Sequence, residues 1–174
     1  MSKVIRVKLS PESIADAIQE LQDYKAELNR KVETLARLLT NTGVDIVRIK
    51  VVEMNAIDTG ELFGSINGYY DSLGNKGVIQ VDSNYAAFVE FGTGIVGAGS
   101  PHTNAEYLAK AAWKYATGSH IFETKDGRFG WYYPTDDGGF RFTEGQKARP
   151  FMYETALELQ RRYAEKVREV FPCD

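Results

Sequence analysis

Glu90 has the setting in this chain that most demands a chemical explanation. It stands inside the apolar run Tyr85-Ala86-Ala87-Phe88-Val89-Glu90-Phe91 and is followed at once by Gly92-Thr93-Gly94. A carboxylate among aromatics needs a cation or several hydrogen-bond donors. The glycines permit positive φ and close approach of a neighbouring backbone. Arg149, just before Pro150-Phe151, is the candidate cation for it, through a charge-assisted bond within one chain or between two, the alternative being two independently solvated charges. A second carboxylate opens the phrase Asp58-Thr59-Gly60, the form used where two carboxylates share one proton. There is one copy, so the second carboxylate would have to come from a homodimer, and Glu61 alongside would disturb the shared proton. The plainer reading is a turn or cap at Asp58 or Thr59, with Gly60 supplying the permissive backbone.

Other constellations carry less. Gly92, Gly94 and Gly97 formally fit the G-x-G-x-x-G dinucleotide spacing, which needs a strand before the glycines and a helix starting on them. Ala98-Gly99-Ser100-Pro101 predicts instead a glycine-rich loop from Gly92 to Pro101. His102 and His120, the only histidines, fall in expected loops and read as solvated, so no metal site is expected. Cys173 is the only cysteine, which excludes an internal disulfide and a cysteine-rich zinc site. No Ser–His–Asp set suggests itself, and no cofactor is expected. Phe122, Phe129, Trp131, Tyr132, Tyr133, Phe140 and Phe142 could stack on sugars or single-stranded bases. Lys125, Arg128 and Arg141 nearby are offset by Glu123, Asp126, Asp136 and Asp137, so core or subunit-contact roles are expected of these aromatics.

The elements that must position these residues follow from periodicity. Ile5, Val7 and Leu9 alternate with Arg6 and Lys8, the pattern of a half-buried strand. Ser10-Pro11 then starts a helix, and apolar residues from Ile14 to Leu39 keep three- and four-residue spacing. Asn41-Thr42-Gly43 is expected to end or bend it, and Val44 to Asn55 reads as helix. Leu62 to Tyr70 and Val78 to Asp82 read as strands around the turn 72–77, and Tyr85 to Phe91 as a short helical turn or strand end. Asn104 caps a helix expected to reach about Thr117. Asp126-Gly127 and Asp137-Gly138-Gly139 divide the aromatic stretch into a three-stranded meander, with a two-residue turn at the first. Pro150 opens the last helix, with Glu154 at its positive end and Arg161, Arg162, Lys166 and Arg168 toward its negative end.

The fold class is therefore α+β: a small antiparallel sheet packed with a long N-terminal helical region and a C-terminal helix, plus an aromatic β-meander insertion. A chain of 174 residues with 43% hydrophobic content reads as a single domain, 1–174. Within it, 1–56 is mainly helical, 57–93 holds sheet and motifs, 94–148 is an insertion, and 149–171 is the last helix. A net charge of −3 argues against sequence-reading of nucleic acid. No apolar run is long enough to span a bilayer, and the start Met1-Ser2-Lys3-Val4-Ile5-Arg6 lacks a leader-like stretch, so neither a membrane nor export is expected.

Three phrases in order, Asp58-Thr59-Gly60-Glu61-Leu62 to Ser65-Ile66, Tyr85 to Gly94, and Ala148-Arg149-Pro150-Phe151-Met152, resemble the tail-completion or head–tail joining family of tailed bacteriophages, the minor tail components. The resemblance covers roughly 44–171 and rests on Asp58, Thr59, Gly60, Leu62, Ser65, Ile66, Tyr85, Ala86, Glu90, Phe91, Gly92, Thr93, Arg149, Pro150 and Phe151. It departs at Phe63, where a basic residue is common, and in the long stretch 95–147. What it implies is a non-catalytic neck protein that completes the tail and helps join it to the head by ring assembly. Its partners would be copies of itself, other neck and tail-tube proteins, and DNA passing without sequence recognition. Its place would be the virion, after assembly in host cytoplasm. The alternative from the residues is a homodimeric aspartic protease using Asp58.

Overall fold

Ser10 and Pro11 start a helix as their chemistry requires. Ser10 Oγ accepts the amide of Ser13 at 3.3 Å and its carbonyl accepts that of Ile14 at 3.1 Å. From there α1 runs Pro11–Glu53, 43 residues without interruption. The computed structural model describes residues 4–57, 60–115, 121–135 and 138–172. The expectations for Asp58, Thr59, Thr117, His120, Asp136, Asp137 and Cys173 lie outside those residues. Helix α1 closes with Asn55 at φ 50° and the amide of Ala56 on the carbonyl of Val51 at 2.9 Å, the left-handed ending that asparagine tolerates.

Gly43 does not break the helix. A Cβ there would fall on Ile79 Cδ1 and lie 2.9 Å from Leu159 Cδ1, so this glycine lets other segments approach the helix. Nor do Ile5, Val7 and Leu9 form a strand. No described strand pairs with this segment, and Lys8 donates its amide to Ser13 Oγ at 2.9 Å, laying the tail beside the first turn of α1. Leu62 belongs to a short helix, α2 (Glu61–Gly64), before the hairpin of β1 (Ile66–Asp71) and β2 (Lys76–Val81).

Then come α3 (Ala86–Phe91), α4 (Gly94–Gly99) and α5 (Ala105–Lys110). The expected glycine loop is thus partly helical. α5 stops well before Thr117, because Ala112 turns to φ 51° and the side chains of Trp113 and Tyr115 are bonded elsewhere, to Gly92 and Phe91 carbonyls. The meander is present as β3 (Phe122–Glu123), β4 (Phe129–Pro134) and β5 (Phe140–Thr143), antiparallel throughout. Its first turn is longer than a two-residue one: Glu123 pairs with Phe129, and Thr124 donates to the Arg128 carbonyl at 2.8 Å. A two-residue strand, β6 (Gly145–Gln146), precedes α6 (Phe151–Val170). The α+β class holds, with a long N-terminal helix, small antiparallel sheets and a C-terminal helix.

The chain gathers into two units. Unit 1 takes Met1–Asp45, Gly68–Ile79 and Leu157–Asp174, and unit 2 takes Ile46–Asn67 and Gln80–Ala156. The core of unit 2 contains Ile46, Val47, Val51, Leu62, Ile66, Val89 and Phe151, all at most 4% exposed. In unit 1 the later turns of α1 carry close contacts, with Gly43 against Ile79 and Leu159, and Gly77 against Thr40 and the Ala36 carbonyl.

Candidate functional site

The three sequence phrases converge in unit 2, and backbone amides hold them together. Tyr85 receives the amide of Leu62 on its hydroxyl at 2.9 Å, and Ser65 receives the amide of Asp82 on its carbonyl at 3.2 Å. Gly60 sits at φ 86°, the left-handed conformation that favours glycine there. Leu62 and Ile66 point into the core. So the first phrase braces the second.

The second phrase in turn grips the third. α3 ends at Gly92 with φ 77°. A Cβ at this glycine would lie 2.6 Å from the Ala148 amide nitrogen and 2.8 Å from the Gln146 carbonyl oxygen, so only glycine admits the returning strand. Thr93 and Gly94 bridge Gln146 and Gly145, and Thr93 Oγ1 accepts the Gln146 amide at 3.2 Å. The chain then passes Arg149, whose amide reaches the Val89 carbonyl at 2.8 Å, and Pro150 delivers it into α6 with Phe151 buried.

That path brings the N-terminus of α6 onto Glu90. Its Oε2 accepts the amide of Met152 at 2.9 Å and its Oε1 that of Tyr153 at 3.0 Å. First-turn amides have no partner inside their own helix, and the positive end of the helix favours an anion. Glu90 therefore caps a helix that begins sixty residues later. The expected pairing with Arg149 does not form. Helix amides take the carboxylate instead, and the Arg149 guanidinium donates to Gln146 Oε1 at 2.8 Å, leaving Nε buried without a hydrogen-bond partner.

His102, read from sequence as solvated, has a fully buried side chain with Nε2 3.4 Å from Glu90 Oε1. Its Nδ1 accepts the amide of Asn104 at 3.0 Å and lies 3.3 Å from the Asn104 carbonyl, while Nε2 is buried on the carboxylate side without a hydrogen-bond partner. Asn104 Oδ1 caps α5 through the Tyr107 amide at 2.8 Å, and its Nδ2 reaches the Tyr153 hydroxyl at 2.9 Å. The rings of Phe91, His102, Tyr107 and Tyr153 enclose the cluster at centroid distances of 5.2–5.9 Å. Burial pushes the Glu90 carboxyl above its ordinary value of 4.5. The Met152 and Tyr153 amides and the His102 ring pull it back, and burial is the larger effect. Burial and then the Glu90 charge raise the Tyr107 phenol.

Chemically this is a latch. Both carboxylate oxygens are engaged by main-chain donors, and Glu90 is 4% exposed, so the carboxylate is turned inward onto the helix start rather than toward solvent. The glycine triplet does begin a helix, contrary to the expected loop, yet α4 is six residues long. Gly94 lies under the Trp131 ring and the Val96 amide bonds the Glu144 carbonyl at 3.3 Å, which blocks the space a pyrophosphate would need. Among the described residues no three His, Cys, Asp or Glu side chains gather as a metal-ligand set.

Sequence reasoning missed His102 because the residues around it read as a loop, and burial of its ring comes from packing against Phe91, Tyr107 and Tyr153. The signal present was local: Asn104 as a helix cap fixes the chain two residues after the ring. In comparisons with known proteins, no family model, no curated protein and no solved structure matches this chain.

Proposed function

We propose that this chain is a structural protein of a tailed phage or prophage that completes the tail and helps join it to the head. It acts by ring assembly with copies of itself and with neck and tail-tube proteins, and performs no catalysis. The observation that carries this reading is the use of the motif residues on one another: Leu62 on Tyr85, Val89 on Arg149, and Glu90 on the first turn of α6. A catalytic carboxylate needs a free oxygen facing substrate, whereas an assembly protein needs its loops fixed in shape. Its place is the virion neck or tail top, reached from host cytoplasm. A mildly acidic chain, net −3, suits a DNA conduit because like charge keeps the polymer from adhering.

Deleting the gene from the phage or prophage that carries it should leave filled heads and finished-length tails unjoined in electron micrographs. Complementation with Asp58→Asn should restore joined particles. Normal particles from the deletion would overturn the proposal, and failure of Asp58→Asn together with peptidase activity of the purified wild type would favour the protease instead.

A further inference from the structure

Helix α5 buries none of its own residues, and even Tyr107, whose ring lies on Phe91 and Tyr153, is 39% exposed. What holds it is a set of bonds on either side. Before it, the Ser100 carbonyl accepts the Ala148 amide at 3.2 Å, and Asn104 reaches the Tyr153 hydroxyl at 2.9 Å. After it, the Trp113 ring donates to the Gly92 carbonyl at 3.0 Å and the Tyr115 hydroxyl to that of Phe91 at 2.8 Å. The same hydroxyl accepts the His102 amide at 3.3 Å. Segment 100–115 is thus a strap tied over α3 and the start of α6, and its innermost tie is the His102 ring against Glu90.

An ionised carboxylate beside a neutral ring is a net negative charge in a nearly closed site. One added proton makes the pair neutral overall and turns the 3.4 Å approach of Nε2 to Oε1 into a charge-assisted bond. The other ring hydrogen then has an acceptor in place, the Asn104 carbonyl 3.3 Å from Nδ1, in exchange for the Asn104 amide. The proton can sit on either side of the contact, so the two groups titrate as one unit.

We propose that a proton taken up by the Glu90–His102 pair locks the strap 100–115 onto α3 and α6, and that its loss frees the strap. The other groups around the pair do not supply this charge. Tyr107 of α5 stays a neutral phenol, raised by burial and by the Glu90 charge. Tyr153 of α6 and Tyr115 beyond α5 are engaged through their hydroxyls. Glu106 and Lys110 pair with each other at 2.8 Å in solvent, and the Arg149 guanidinium is on Gln146. The direction follows from burial, which raises the Glu90 carboxyl above 4.5. The closed strap therefore holds the proton more tightly than the open one, where water restores the ordinary value. Closure is fullest in acid and is lost as pH rises through the closed-state value. This goes beyond the neck reading and does not rest on it.

Hydrogen exchange of the full chain, read by mass spectrometry and corrected for the intrinsic rate at each pH, tests the switch. Between about pH 5 and 8, protection of residues 101–111 should fall as pH rises, by at most about tenfold per unit for one proton released. Protection of residues 36–50 in α1 should hold steady. His102→Gln should abolish the pH response while leaving α1 protected. In the wild type, NMR should show the Glu90 carboxyl carbon and the His102 ring nitrogens shifting in one common step, above 4.5. Constant protection of 101–111 overturns the inference. So does a fall shared equally by α1, the mark of global unfolding, or a His102→Gln protein that keeps the response. A Glu90 carboxyl that titrates below 4.5, apart from the ring, overturns it without any variant.

Discussion

Unit 2 and unit 1 solve the burial problem in opposite ways. Among the described residues, the hydrophobic side chains at 9% exposure or less are Ile46, Val47, Val51, Ala56, Leu62, Ile66, Val89, Phe91 and Phe151 in unit 2, and Ala17 alone in unit 1, where Thr40 is buried as well. Unit 2 also places polar groups inside, Glu90 with an amide on each oxygen and His102 with an amide on Nδ1 and none on Nε2. Unit 1 leaves a row of large aliphatic side chains in water along α1. An isolated protein rarely keeps such a row without a use for it. One region buries its apolar side chains against itself, and the other leaves an apolar row exposed along its helix.

That contrast can be broken most forcefully at Phe151, which is 1% exposed at the start of α6. Phe151→Ala should cost about 3–5 kcal/mol, from lost transfer energy and the cavity left behind, measured by urea unfolding. A loss below about 1 kcal/mol would mean that the unit 2 core is not close-packed there.

A smaller effect is expected at Glu90. Glu90→Gln keeps one acceptor but turns an amide group toward a helix N–H, costing about 1–3 kcal/mol. Its pH dependence sharpens the test. Because burial raises the folded carboxyl above 4.5, the folded state holds the proton more tightly than the unfolded chain. That contribution is complete below the unfolded value and is lost as pH rises through the folded one. The stability gap between wild type and Glu90→Gln should therefore narrow as pH rises out of the ordinary carboxylate range. A widening gap would show that the amides and His102, not burial, dominate.

The least change is expected on the exposed row of α1. Leu21→Ser, at a site 56% exposed, should alter the unfolding free energy of the monomer by no more than about 0.5 kcal/mol. A loss comparable to that of Phe151→Ala would place Leu21 in a core of its own chain and erase the distinction between the units.

Much of the architecture was legible. Ser10-Pro11 and Pro150 mark two helix starts through capping and fixed φ, and the glycines at 127 and 138 mark the meander's turns. These are local signals, settled within a few residues. The errors have a common cause. Gly43 reads as a breaker until Ile79 and Leu159 are seen against it, and the strand expected at Ile5–Leu9 has no edge to join. The candidate site was half legible: Glu90 announces a need for donors, but Arg149 is the obvious charge and the wrong partner.

By itself, then, the sequence determined where helices begin, where the chain turns, and that Glu90 would require satisfaction, because propensity, capping and desolvation act on neighbouring atoms. Only the tertiary structure decided who satisfies it. Met152 and Tyr153 reach Glu90 through backbone donors from some sixty residues on, and His102 through a ring placed by the packing of α3 and the start of α5. Every residue but proline carries a backbone amide, so no residue type advertises which amide will be left unpaired at a helix end.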